Sequence, residues 1–223
     1  YCEMKKVAVI LNGCGHRDGS EIHEAVLSLL GIENAGATWE ALAPSKPQAR
    51  IINHLDGQIE TDEPPRNMLK ESARIARGRI KELSKAKPED YAAVLIPGGN
   101  GTASNLCDFA AKGSQMHVLP EVVSFLEAAH SKGRPIGAVC IAPVMIAKIF
   151  GPKGVRLTLG AAQGDAAKAA QQMGAKVVDC GASDCVVDES LKIVTTPAYM
   201  LDAGLGQISQ GISKLARELI RLS

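Results

Sequence analysis

A chain of 223 residues is long enough for one α/β domain with a full core and short for two. Its formal net charge of +1, from 25 basic and 24 acidic residues with no basic block, gives nucleic acid no electrostatic footprint, and 3% aromatic residues leave no stacking platform for bases. No apolar run approaches the roughly 20 residues that span a bilayer and no signal-peptide pattern opens the chain, so no membrane partner is expected and the reading is cytoplasmic.

Residues 1–3, Tyr-Cys-Glu ahead of Met4, read as a vector remnant or leader, which leaves a single domain over 4–223. Short β-branched or apolar runs bounded by Gly, Pro or Asp predict strands over 5–12, 37–43, 91–97, 134–140, 154–160, 175–180 and 191–197. Between them, helical patterns cover 20–36, 65–84, 101–113, 120–133, 144–150, 165–174 and 198–222. Such alternation predicts right-handed crossovers and a mostly parallel sheet with helices on both faces. Only 44–66, with Pro44, Pro47, Pro64 and Pro65, reads as a long irregular insertion holding a short hairpin or a lid.

Six irregularly spaced cysteines suggest a reducing compartment, not a disulfide framework. Cys180 and Cys185 have no second ligand pair nearby and the five histidines are scattered, so no metal site is expected.

Ligands of such sheets sit beyond the carboxyl ends of the strands, and three segments there carry chemistry. The first, GCGHRDGSEIHE (13–24), has Asp18 and Glu21 at capping-box-like spacing, then Glu24 on the same helix face as Glu21. These carboxylates either complement the helix dipole or serve a site. The second, GGNG (98–101), is either a tight turn or a set of backbone amides facing a bound oxygen. Its spacing fits neither a dinucleotide fingerprint nor a phosphate loop, and no cofactor is expected. The third, GAVCIAP (137–143), puts Cys140 where a strand gives way to a helix opened by Pro143. A thiol on that bend reaches the carboxyl edge of the sheet, where the helix N-terminus favours a thiolate.

The stretches VAVILNGCG, DGSEIHEA, NHLDG, RNMLKESARIARG, VLIPGGNG, RPIGAVCIAPVMIAKI, MGA and KIVTTPAYM resemble the ElbB family (enhancing lycopene biosynthesis protein 2, or sigma cross-reacting protein), in the DJ-1/PfpI group of the class I glutamine amidotransferase-like superfamily. The resemblance runs from about Met4 to the last helix, and RNMLKESARIARG and CIAPVMIAK are its most specific parts. It extends to mitochondrial members, which implies mitochondria for a eukaryotic chain.

The resemblance implies a flavodoxin-like three-layer sandwich, a homodimer, and a nucleophile-elbow cysteine beside a glutamate from the first helix. Cys140 matches the cysteine and Glu24 the glutamate, with Glu21 as fallback; Gly98, Gly99 and the Ile141 amide match the oxyanion-hole positions. It also implies a glyoxalase, a lyase independent of glutathione and metal, that turns methylglyoxal or glyoxal into lactate or glycolate. The small 2-oxoaldehyde would be bound as a hemithioacetal on Cys140. The alternative is a non-catalytic redox or stress-response protein linked to isoprenoid metabolism, in which Cys140 senses oxidants.

Some residues depart from the pattern. Ile141 stands where many relatives have histidine, and 154–165 contain none, which argues against glutaminase chemistry and for weak glyoxalase activity. His16 and His23 are possible substitutes, and Cys14 is a possible resolving thiol or a small buried residue. Asn100 replaces a frequent phenylalanine; Arg66, Arg74 and Arg77 are expected along one helix, as a solvated face, a dimer contact or an anion site.

Overall fold

In a computed structural model, which describes residues 3–223, the elements are β1 (Lys6–Ile10), α1 (Ile22–Asn34), β2 (Thr38–Ala43), α2 (Met68–Ile75), β3 (Ile80–Glu82), β4 (Ala93–Ile96), α3 (Phe109–Lys112), α4 (Pro120–Ser131), β5 (Ile136–Val139), α5 (Pro143–Phe150), β6 (Arg156–Leu157), α6 (Asp165–Gln172), β7 (Lys176–Val177), β8 (Val186–Asp188), β9 (Ile193–Thr196) and α7 (Leu205–Leu222). Tyr1 and Cys2, most of the expected leader, lie outside the described residues.

Seven strands form one sheet in the order β3-β2-β1-β4-β5-β9-β8, parallel throughout except for β8, which runs antiparallel on β9. The central strands read as unbroken apolar runs because both faces are covered. In β1, Val7 and Val9 join the layer formed with α1 and α7, while Ala8 and Ile10 join the layer formed with α4 and α5. This is the mostly parallel sheet expected from the alternation, in the flavodoxin-like three-layer sandwich that the resemblance implies.

Three expectations need correction. The helix predicted over 65–84 ends at Ile75, because Arg77 (φ 53°) and Gly78 (φ 80°) reverse the chain, and β3 follows. Arg66 and Arg77 therefore flank α2, and only Arg74 lies on it, paired with Glu71 at 2.9 Å. The helix predicted over 101–113 shrinks to the four residues of α3, because Thr102 and Asn105 hydrogen-bond to nearby backbone in place of a helical ladder.

The strands predicted over 154–160 and 175–180 are reduced to β6 and β7, which pair only with each other. That edge of the main sheet is held by β8, whose Asp188 accepts the Arg156 N–H at 2.8 Å. The insertion over 44–66 contains a hairpin-like turn, closed by a bridge between Ile52 and Ile59.

Candidate active site at the nucleophile elbow

Strand β5 ends at Val139 and α5 begins at Pro143, so the chain turns within three residues. Cys140 makes that turn at φ 62°, a left-handed conformation that costs a non-glycine residue about 1–2 kcal/mol. Its N–H donates to the Thr196 carbonyl at 3.0 Å, which ties the bend to the end of β9.

Gly98, just past β4, explains how the thiol and a carboxyl group come together. A Cβ on Gly98 would lie 2.5 Å from Cys140 Cβ, 2.7 Å from Glu24 Oε1 and 2.9 Å from the Val139 carbonyl, so no side chain fits. In the space left, the Gly98 N–H donates to Glu24 Oε1 at 2.9 Å, and the Tyr199 N–H donates to Oε2 at 3.3 Å. Glu24 is fully buried in the first turn of α1. Glu21 is the N-cap of that helix, its Oε2 accepting the Glu24 N–H at 2.6 Å. Asp18, expected to share the cap, is instead buried beneath the 44–66 insertion and accepts the Ile52 N–H at 2.8 Å.

Burial, and then the neighbouring charge of Glu21, push the Glu24 carboxyl up to about 8, against the hydrogen bonds from Tyr199, Cys140 and Gly98. Burial also drives the Cys140 thiol upward, followed by the charge and hydrogen bond of Glu24; the Gly99 and Ile141 amides act in the opposite direction. The expected thiolate-favouring elbow is thus a protonated thiol at rest, because burial outweighs the amides. Once Glu24 takes up its own proton, that opposing charge disappears and the carboxyl becomes a donor toward sulfur.

The three oxyanion positions separate. Gly99 and Ile141 direct amides to the Cys140 sulfur, whereas the Gly98 amide donates to Glu24. Neither candidate histidine is among the groups shifting Cys140. His23 is exposed and hydrogen-bonded to the Tyr199 hydroxyl at 2.7 Å. His16 is exposed and meets the His54 ring edge-on, with centroids 5.2 Å apart. Cys14 is half-buried, its thiol pushed up by burial and set among Arg74, Glu71 and Asp18, away from the groups around Cys140. Cys107 packs into the core and donates to the Thr102 carbonyl.

The end of β9 and the segment after it were not among the sequence candidates, although they supply Thr196 O to Cys140 and Tyr199 N–H to Glu24. Their position at a strand's carboxyl end, in TTPAYM, was the available signal; Ala198, at φ 43°, turns the chain so that the Tyr199 amide faces inward. Among the described residues, no group of three or more His, Cys, Asp or Glu is placed to hold a metal ion, and no helix is long and apolar enough to cross a membrane.

Residues 67–203 match the sequence model of the DJ-1/PfpI family, a span that takes in Gly98, Cys140 and Tyr199 but not Glu24. The chain is 40% identical, over 98% of its length and 83% of the relative's, to the human glutamine amidotransferase-like class 1 domain-containing protein 3, mitochondrial. It is 39% identical to the ES1 protein homolog, mitochondrial, of Rattus norvegicus, covering 98% of this chain and 84% of that one. The crystal structure of an isoprenoid biosynthesis protein with amidotransferase-like domain from Ehrlichia chaffeensis superposes with a TM-score of 0.90 at 32% identity, over 98% of this chain and 99% of that one.

Proposed function

The chain belongs to the DJ-1/PfpI family, and from that premise we propose that it is a cofactor-independent glyoxalase of the ElbB subgroup, converting methylglyoxal or glyoxal to lactate or glycolate at Cys140. The observation carrying this reading is a buried carboxyl raised to about 8 beside a strained elbow thiol, since an acid–base group near the working pH exchanges protons in both directions.

The chemistry balances without an outside reductant. The thiol adds to the aldehyde carbon of methylglyoxal, its S–H bond breaking as the S–C bond forms and its proton passing to the carbonyl oxygen, which the Gly99 and Ile141 amides hold. Glu24 as carboxylate removes the proton from that carbon to give an enediol and returns a proton to the adjacent carbon, while the hydroxyl proton of the first carbon ends on the oxygen of the second, leaving a lactoyl thioester. Water cleaves the thioester, releasing lactate and restoring the thiol. At 7% exposure Cys140 admits only a compact electrophile, which suits a 2-oxoaldehyde.

Lactate formation from methylglyoxal without added thiol is the test, with Cys140→Ala and Glu24→Gln alongside. Turnover lost in both variants supports the mechanism. The second reading, a redox or stress protein tied to isoprenoid metabolism, is favoured by the sealed thiol with no histidine following it. It survives if Cys140 takes up one adduct or oxidation per chain and then stops. A homodimer belongs to the same proposal and draws support from the solvent face of α1, where Ile22, Val26 and Leu30 expose apolar surface at four-residue spacing. The location proposed is cytoplasmic in a bacterium and mitochondrial in a eukaryote, as the names of the human and rat relatives suggest.

A further inference from the structure

The loop between β1 and α1 packs on the glycine turn after β4. The Asn100 N–H donates to the His16 carbonyl at 2.7 Å, and a Cβ on Gly99 would lie 2.5 Å from the Gly19 carbonyl. Arg17 in this loop is half-buried, and its guanidinium lies against the 53–57 turn. There a Cβ on Gly57 (φ 78°) would approach Arg17 Nη1 to 2.7 Å. Among the described residues, Arg17 Nε is buried without a hydrogen-bond acceptor, and no carboxylate lies within salt-bridge distance of the guanidinium.

The adjacent groups leave that charge unanswered. Asp18 is occupied by the Ile52 N–H, with its other oxygen 3.9 Å from His54 Nε2. His54 accepts the Arg17 backbone N–H on Nε2 at 3.1 Å and bonds the Ile52 carbonyl through Nδ1 at 3.0 Å, so both of its ring nitrogens are engaged. Burial and then the charges of His54 and Arg17 lower the His16 imidazole's affinity for its proton, with Glu21 and Asp18 acting the other way. A desolvated guanidinium donor is costly without a partner, and the guanidinium fork matches the geometry of carboxylate and phosphate.

We propose that Arg17, with His16 beside it, binds an oxyanion group, a carboxylate or a phosphate. This site stands whether or not Cys140 is the reacting nucleophile.

The test follows the His16 ring by proton NMR across pH in the full chain, in inorganic phosphate and separately in acetate, against chloride at equal ionic strength. A bound oxyanion stabilises the imidazolium and moves the His16 midpoint upward. Arg17→Gln abolishes the movement and Arg17→Lys retains part of it. A response to phosphate alone assigns a phosphate group; a response to acetate as well admits a carboxylate. Equal midpoints in all three salts, or a movement that persists in Arg17→Gln, overturn the site and leave an adventitious ion only.

The NMR measurement does not depend on turnover. The His16 response without lactate formation retains the oxyanion site and rejects the glyoxalase, while lactate without that response does the reverse.

Discussion

Two backbone N–H groups, from Gly98 and Tyr199, end on the two oxygens of a carboxyl group that has no contact with solvent. Those bonds favour the ionised form, yet burial dominates and holds Glu24 at about 8. The consequence for stability has a definite sign. Between its ordinary value of 4.5 and about 8, the folded chain binds a proton that the unfolded chain has released, so stability falls as pH rises through that window and levels off above it. Denaturant unfolding should show wild type losing a few kcal/mol from pH 5 to pH 8 through this group. Glu24→Gln should flatten that dependence, at a constant cost of about 1–3 kcal/mol because its amide nitrogen faces the Tyr199 N–H. At this scale the sequence was informative about type more than about partnership. Glu24 and Cys140 stood out through helix spacing and a strand-to-helix break. The Gly98–Glu24 bond depends on how two loops pack, which no local pattern records.

Where elements meet, glycines decide how close they come. PGG after an apolar run announces a turn, and Gly99 at φ 103° needs the freedom only glycine has. Gly98 is required for a different reason, proximity, and Gly98→Ala is expected to cost about 1–3 kcal/mol or more by overpacking the thiol and carboxyl. The same variant should abolish the pH-dependent stability assigned to Glu24, which thermal unfolding at pH 5 and pH 8 would reveal. Helices α1 and α4 were legible because their apolar positions recur along one face, and α5 because an apolar run follows the proline that opens it. Strand β3 was hidden inside a helical pattern, since Ile80 to Glu82 carry no strand signal of their own and pair only because β2 presents a free edge.

Across the whole molecule, the sheet order follows from alternating strands and helices, but β8 does not. Its three residues bind antiparallel to β9, and the loop before it is clamped under α7. Gly211 marks that clamp: a Cβ there would overlap the Ala182 carbonyl and come within 2.8 Å of Thr196 Oγ1. Gly211→Ala should therefore lower stability by about 1–3 kcal/mol, and Tm by roughly 2–4 °C for each of those. Gly206→Ala, in the open first turn of the same helix, should raise stability by about 0.5–1 kcal/mol. Equal effects of the two substitutions in a melting experiment would contradict the clamp.

The contacts of Glu24 also impose a chronology. Its hydrogen-bond donors come from residues 98 and 199, and its thiol neighbour from residue 140. A chain emerging from the ribosome releases Glu24 long before Tyr199 exists, so through most of synthesis that carboxylate is an ordinary solvated anion and Cys140 an ordinary thiol. Neither acquires its altered proton affinity until β9 and the segment after it have docked and closed water out of the site. The site is thus a late product of folding. A nascent chain halted before residue 199 would expose a cysteine open to general alkylation, with none of the discrimination that the finished elbow imposes.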